Sequence, residues 1–519
     1  MYWADKIADE IAKSGKYTPY HVDDMKTPSG VIHVGSLRGV MVHDLVYKAL
    51  QNLGVKVTFT YVYNDMDPMD SLPNYLDAQI YKKHLGEPFF KIPAPDKISV
   101  SYARQFGDQF TASMNKIGAT PQILWSSELY SSGKMNDVIR EALDHSKEIR
   151  KVYKKVAGQE KPDSWYPFQV ICPKCGKLGS TLVTGWDGEE VTYECKPDMV
   201  TWAKGCGHAG EISPFGGTGK LMWKVDWPAH WKAIGVTIEG AGKDHTSEGG
   251  SRDIANALVS EVFKIDSPFD IPYEWFLIGG RKMSTSKGVG TTAHTFVEIL
   301  PPTISRFLFV RNHYNRQVNF DPTGDTIPKL FDLYDAAARA YWEHKDEKQA
   351  RMFEYSQTID KVPQKHFLPR FSDVVMYLQD SKINLDRKFE EIKGGSLTDE
   401  EKQELTERIK YAKIWLAEYA PMEEVFIPSD SLPQEASTLT DEQKKYLDGI
   451  ADLIKESSDP EKLQMDLYNK SKELGIPAKD AFAAVYLILI GKTHGPRAAW
   501  FLLEHRELAI KRIQEILGT

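Results

Sequence analysis

Two loops with complementary chemistry lie far apart in this chain, and any fold it adopts has to bring them together. The first, Thr27-Pro28-Ser29-Gly30-Val31-Ile32-His33-Val34-Gly35-Ser36, follows a short strand-like segment and leads into a helix. The second, Lys282-Met283-Ser284-Thr285-Ser286-Lys287-Gly288, holds two lysines among Gly279, Gly280, Gly288 and Gly290. A histidine and backbone N–H groups at a helix start are fixed donors toward phosphate, and Gly30 and Gly35 let a nucleotide approach the backbone closely. A glycine-flanked loop can swing its ammonium groups onto the same phosphates. The pair reads as an ATP site.

The residues between them carry an α/β pattern. Trp3, Ile7 and Ile11 recur at helical spacing, Gly15 stops that helix, and Tyr20-His21-Val22 reads as a strand. From Gly35, Leu37, Met41, Leu45, Ala49 and Leu53 form one helical face ending at Gly54, and the β-branched and aromatic run Val55 to Tyr63 follows. In a βαβ unit ligands bind off the carboxyl ends of strands, so Asn64, Asp65 and Asp67 are site candidates by position. Val236 to Glu239, the turn Gly240 to His245, a helix, and Tyr273 to Ile278 repeat the pattern.

The expected architecture is a Rossmann-like parallel-sheet domain split into residues 1–83 and 233–280. The stretch 84–232 is too long for a loop and is expected to be a subdomain inserted over the mouth of the sheet. The lysine loop opens 281–330. From 331 to 519 the pattern is helical, with capping boxes at Thr398 to Glu401 and Thr440 to Gln443 and a linker at Pro421 to Pro433.

All four cysteines fall between Cys172 and Cys206, as expected where thiols stay reduced for metal ligation. Cys172-Pro173-Lys174-Cys175, Cys195 and Cys206-Gly207-His208 have the shape of a zinc ribbon. The expected ligands to a structural Zn2+ are Cys172, Cys175, Cys195 and Cys206, with His208 able to replace Cys206. A chain of 519 residues, 41% hydrophobic, can bury several cores. Its formal charge of -8 does not exclude a local basic face for nucleic acid. The first residues lack an apolar leader, and the longest apolar run, Ala481 to Ile490, is too short to cross a bilayer. A cytoplasmic location without a membrane partner is expected.

His33-Val34-Gly35-Ser36 and Lys282-Met283-Ser284-Thr285-Ser286 resemble the two signatures of class I aminoacyl-tRNA synthetases, usually spelled HIGH and KMSKS. Ser36 stands for the second histidine and Thr285 for the second lysine, with Lys287 following. That spelling is similar to the class I (archaeal-type) lysyl-tRNA synthetases. So are Asp65-Met66-Asp67-Pro68-Met69, Gly219 to Pro228, Gly242-Lys243-Asp244-His245 and Gly491 to Arg497, so the likeness spans nearly the whole chain.

The resemblance implies a HUP-type catalytic domain, a connective and acceptor-binding insert with the zinc ribbon, a stem-contact region after the lysine loop, and a helical anticodon-binding region. It implies ATP, Mg2+, L-lysine and tRNA(Lys) as reactants, with tRNA bound before activation, and points to no obligate protein partner. His33, Gly35, Lys282 and Lys287 would be catalytic. Pro28, Ser29, Gly30, His33, Gly35, Ser36, Lys282, Ser284 and Ser286 would hold ATP. The family's lysine pocket maps onto Thr27, Trp223, His245 and Tyr273, and Glu239, Asp65 or Asp67 would neutralise the ammonium. Met25 stands where the family often has glycine. Arg497, Trp500, Arg506 and Arg512 would face tRNA bases. The rivals are a class I synthetase for glutamate, a nucleotidyltransferase making a small cofactor, and a catalytically silent tRNA-binding paralogue.

Overall fold

Strand β1 (Tyr20–Lys26) is the centre of a parallel sheet. On one side it pairs in register with β2 (Val57–Tyr63), which pairs in turn with β3 (Gln122–Trp125). On its other side Ile238 bridges Val22, and Phe269 bridges Ile238, both in parallel. The backbone bonds Asp23 N–H to Ile238 O and Glu239 N–H to Phe269 O, at 3.0 and 3.1 Å, continue the sheet through these segments. The lateral order is thus β3, β2, β1, the Ile238 segment, the Phe269 segment. The chain reverses its direction of winding between β1 and Ile238, and this switch point is where doubly wound sheets bind their ligands.

This computed structural model describes residues 1–280, 291–359, 361–380, 383–421, 424–426, 428–429 and 431–518. Lys282, Ser284, Ser286 and Lys287 lie outside the described residues. These form two compact units, Met1–Asp321 with Ala337–Val362, and Pro322–Ala336 with Pro363–Thr519.

In the first unit, helix α1 (Trp3–Ser14) buries Trp3, Ile7 and Ile11 and ends at Gly15, whose φ of 66° satisfies the left-handed C-cap. Helix α2 (Leu37–Asn52) has buried residues almost all round and packs on β1 and β2. The expected strand-to-helix junction is longer than the sequence suggests: β1 extends to Lys26, a loop follows, and His33 precedes a 3-10 turn, Val34–Ser36, that feeds α2. The expected division at residue 83 also moves, because β3 lies within 84–232 and completes the parallel sheet. The expected strand over Tyr273 to Ile278 breaks into Pro272–Tyr273 and Phe276–Ile278, which pair with Ala241–Gly242 and Val318–Phe320.

After β3 the chain builds a second core around Trp165, Phe168, Trp227 and Trp231. It also builds a three-stranded antiparallel sheet, Thr181–Trp186, Val191–Cys195 and Ala209–Ile212, that carries the cysteines. The second unit is helical apart from its connections. Both sequence-read capping boxes form, at Thr398/Glu401 and Thr440/Gln443. Arg408 is buried there between Asp335 and Glu404. Helix Ala478–Ile490, the longest apolar run, is buried in this unit's core, and no helix among the described residues is long and apolar enough to cross a membrane.

Candidate functional site

A cleft of about 620 Å³ opens at the switch point. Its floor is the end of β1, Asp24 to Thr27, beside Glu239 to Gly242 from the neighbouring segment; Trp223, Trp227, Lys220, His245 and Tyr273 form much of its wall. Trp223 stacks on Trp227 with centroids 5.4 Å apart, and His245 meets both edge-on at 5.5 and 5.9 Å. Of the six residues mapped to the lysine pocket, Thr27, Trp223, Glu239, His245 and Tyr273 line this cleft.

Asp65 is the exception and is corrected. Its carboxylate is buried away from the cleft, where it accepts the Ser127 N–H at 2.7 Å and the Ser127 hydroxyl at 2.5 Å, tying β2 to the start of helix Ser126–Ser131. Asp67, two residues on, faces the cleft: the Thr27 hydroxyl donates to it at 2.5 Å and the Lys220 ammonium sits 2.5 Å from its other oxygen. Lys220 also contacts buried Asp226 at 2.9 Å. Burial opposes charge on both, yet Asp226 and Asp67 hold Lys220 well above the usual lysine range, and Lys220 and His230 hold Asp226 well below the usual carboxylate range.

The opposite side of the cleft is different. Burial pushes Glu239 up to about 7, although Arg252 and the Trp227 indole oppose the shift. Glu239 accepts from Trp227 Nε1 at 2.8 Å and from Trp231 Nε1. Burial likewise pushes Asp24 up to about 7, and pushes Asp23 well above the carboxylate range with Glu239 adding to the effect. Asp23, Asp24, Lys26, Gly39, His43 and Lys220 were not singled out from sequence. The usable signal was two consecutive acids inside a strand that leads to a site, since buried carboxylates rarely occur without a purpose.

The loop after β1 is tied to residues 291–293. Val34 N–H donates to Thr291 O at 3.0 Å, Ala293 N–H donates to Ile32 O at 2.9 Å, and His33 bridges Thr292. Residues 291–293, which follow 281–290 in the chain, are thereby locked to the histidine loop. Ser29 and Ser36 line the cleft, whereas Pro28 and Gly30 are buried. Gly30 is covered in this structure: a side chain there would begin 2.4 Å from the Tyr75 hydroxyl, which accepts the Val31 N–H at 2.8 Å.

The sulfurs of Cys172, Cys175, Cys195 and Cys206 lie within 4.8 Å of one another, with pairs at 3.7 and 3.6 Å. Ligands ~2.3 Å from a central zinc lie roughly 3.8 Å apart in a tetrahedron, so the set fits one closed site. His208 is not part of the group; its backbone carbonyl accepts the Cys195 N–H at 2.8 Å and its ring meets Tyr193 edge-on. In the helical unit, Arg497 stacks over Trp500 at 4.2 Å. Arg512 is buried against Glu515 and Ser429 O, and Arg506 bonds the carbonyls of Lys455 and Ser457, so both hold the bundle together.

A doubly wound sheet, a cleft at its switch point and a histidine loop tied to residues 291–293 make this a nucleotide-binding α/β enzyme frame. The family model for tRNA synthetases class I (K) matches residues 1–359. Along nearly its whole length the chain is similar to the lysine–tRNA ligase of Methanosarcina barkeri strain Fusaro, at 33% identity over 99% of this chain and 97% of that one. It is similarly related to those of Archaeoglobus fulgidus, at 32% over 99% of each, and Methanocaldococcus jannaschii, at 33% over 97% of each. The chain belongs to the class I (K) tRNA synthetases.

Proposed function

We propose that this chain is a lysine–tRNA ligase: the carboxylate of L-lysine attacks the α-phosphate of ATP, pyrophosphate leaves, and the lysyl group passes from the adenylate to the terminal adenosine of tRNA(Lys). The observation that carries the reading is the cleft, in which an acidic floor and an aromatic wall adjoin the histidine loop. Relatives named lysine–tRNA ligases match the chain end to end. Aromatic faces suit both the aliphatic stem and the ammonium of lysine. A glutamate side chain would instead face Asp24 and Glu239 across the floor.

Attack on an α-phosphate needs positioning and neutralisation of growing charge more than covalent help. His33 and the N–H groups near Gly35 are the fixed donors in this scheme. Pro28, Ser29, Gly30 and Ser36 form the nucleotide's bed, Tyr75 moving off Gly30 as ATP enters. Lys282, Ser284, Ser286 and Lys287 would complete the set, and Mg2+ would accompany the ATP. The aromatic cluster of Trp223, Trp227 and His245 holds the amino acid. Arg497 with Trp500 offers a plane for an unstacked base. Zn2+ held by the four cysteines would fix the small antiparallel sheet and supply no chemistry, since all four positions are taken by protein. We place the enzyme in the cytoplasm.

Charging of total tRNA with ATP, Mg2+ and each amino acid in turn tests the reading. Lysine alone should charge; glutamate charging would overturn the substrate, and no charging would leave a silent tRNA binder. Metal analysis should find about one zinc per chain and none after Cys172→Ser, which should also destabilise the insert; a zinc-free, fully active wild type would remove the metal.

A further inference from the structure

Of the acids at the cleft floor, Glu239 already has an indole N–H on each oxygen. Asp24 does not. Its Oδ1 accepts the Met25 N–H at 2.9 Å, while the nearest charged-group contact of Oδ2 is His43 Nδ1 at 3.6 Å. His43 is a poor counter-ion, because its Nε2 accepts the Gly240 N–H at 2.7 Å and its Nδ1–H is directed to Gly39 O at 2.8 Å. Accepting at one nitrogen and donating at the other makes the imidazole neutral. Burial lowers its proton affinity in the same direction.

Among the described residues, the other elements around Asp24 bring no second cation within contact. Strand β2 contributes Tyr61, the Pro272–Tyr273 strand contributes the Tyr273 ring, and α2 contributes Gly39. A side chain at Gly39 would begin 2.9 Å from Asp24 Oδ2 and 2.5 Å from the Tyr273 hydroxyl, so this corner admits only a slender group. Lys26 shares Asp24's face of β1 and acts on it through space, but no ion pair joins them among the described residues. The result is a carboxylate at the cleft whose Oδ2 has no cation in contact among the described residues and which is flanked by aromatic rings.

Taking the proposed lysine–tRNA ligase activity as given, we infer that Asp24 is a specificity-determining residue whose Oδ2 binds the side-chain ammonium of the amino-acid substrate. Its depth fixes which ammonium. The substrate carboxylate must meet the α-phosphate at the loop starting with Thr27, and Asp24 lies ~10 Å deeper along the strand at ~3.3 Å per residue. The α-ammonium stays beside the reacting carboxylate, whereas the four-methylene stem carries the distal ammonium inward. Lys26, between the two, offers its positive charge to the carboxylate end. Asp24 and Lys26 thus read the two ends of the substrate in a fixed order.

Asp24→Asn tests this with tRNA charging by the full-length enzyme. KM for lysine should rise about 10²-fold, the effect of losing a charged hydrogen bond in a desolvated site, while KM for ATP stays within a few-fold of wild type. Inhibition by norleucine, which keeps the α-ammonium and lacks the distal one, should be unchanged or stronger. Without substrates the variant should unfold at the same temperature as wild type or higher, because a buried unpaired carboxylate has been made neutral. An unchanged lysine KM, a norleucine inhibition that weakens in step with lysine, or a substrate-free variant less stable than wild type would each overturn the assignment. Charging of a different amino acid by the wild type would overturn the ligase reading instead, independently of Asp24.

Discussion

On the insert side of the cleft, Asp67 and Asp226 share the buried ammonium of Lys220, and the hydroxyls of Thr27 and Tyr130 complete the group at 2.5 Å each. On the strand side, Asp23, Asp24 and Glu239 crowd together with a neutral His43 between α2 and Gly240, and Arg252 is turned toward the carbonyls of Glu239 and Pro268. Asp226 is as deeply buried as Asp23 and Glu239, and the difference lies in whether a cation contacts the carboxylate among the described residues. Where one does, as at Asp226, proton affinity falls, and the Lys220 contacts join the insert to the sheet. Where none does, proton affinity rises, and a cationic ligand would relieve the cost.

The strongest way to break the comparison is Lys220→Met, which leaves buried Asp226 and half-buried Asp67 without their cation. Stability measured by denaturant unfolding should fall by about 3–5 kcal/mol; a loss under about 1 kcal/mol would mean that the insert side is no more satisfied than the strand side. His33→Ala touches neither acid group. Charging turnover should drop by ~10²-fold or more with lysine affinity nearly kept, separating the chemistry from the acids that bind.

Next in size is an opposed pH response. Asp24 and Glu239 are raised from 3.8 and 4.5 to about 7 by burial, so their contribution is fully present below the unfolded values and is lost as pH rises toward 7. Substrate-free stability attributable to them should decline by up to roughly 1.4 kcal/mol per pH unit per group across that window, and Asp24→Asn with Glu239→Gln should flatten the decline. Asp226 runs the other way: its proton affinity is lowered by Lys220 and His230 against burial, so its contribution holds at neutral pH and is lost as pH falls through and below the ordinary carboxylate range. Calorimetry from pH 4 to pH 8 would separate the two. The smallest effect belongs to Thr27→Val, which removes one donor from Asp67 while Lys220 remains; a loss of about 1 kcal/mol in unfolding stability would fit one hydrogen bond in an otherwise satisfied cluster.

Much of this was legible in advance where the signal is local. The α1 face and its glycine stop, both capping boxes and the cysteine quartet follow from spacing and from residues with a single dominant conformational or ligating use. The aromatic members of the cleft, Trp223, His245 and Tyr273, came from family likeness and not from pattern, since each alone could equally be packing. Asp65 was misplaced because adjacent acids at a strand end look alike in sequence; the position of Ser127, set by β3, decides that Asp65 is structural and Asp67 faces the cleft. The boundary at 83 failed for a related reason: β3 is only four residues long and is recognisable as a sheet strand only by its pairing with β2.

The sequence by itself determined the local elements and a set of four thiols, because periodicity, caps and soft-ligand spacing are written within short windows of chain. Tertiary structure alone decided which charges meet. Whether a buried carboxylate is neutralised depends on a cation brought by the fold, as Lys220 is to Asp226, or absent among the described residues, as at Asp24. Charge pairing in a low-dielectric cleft is set by distances of a few ångströms, which residue order does not specify.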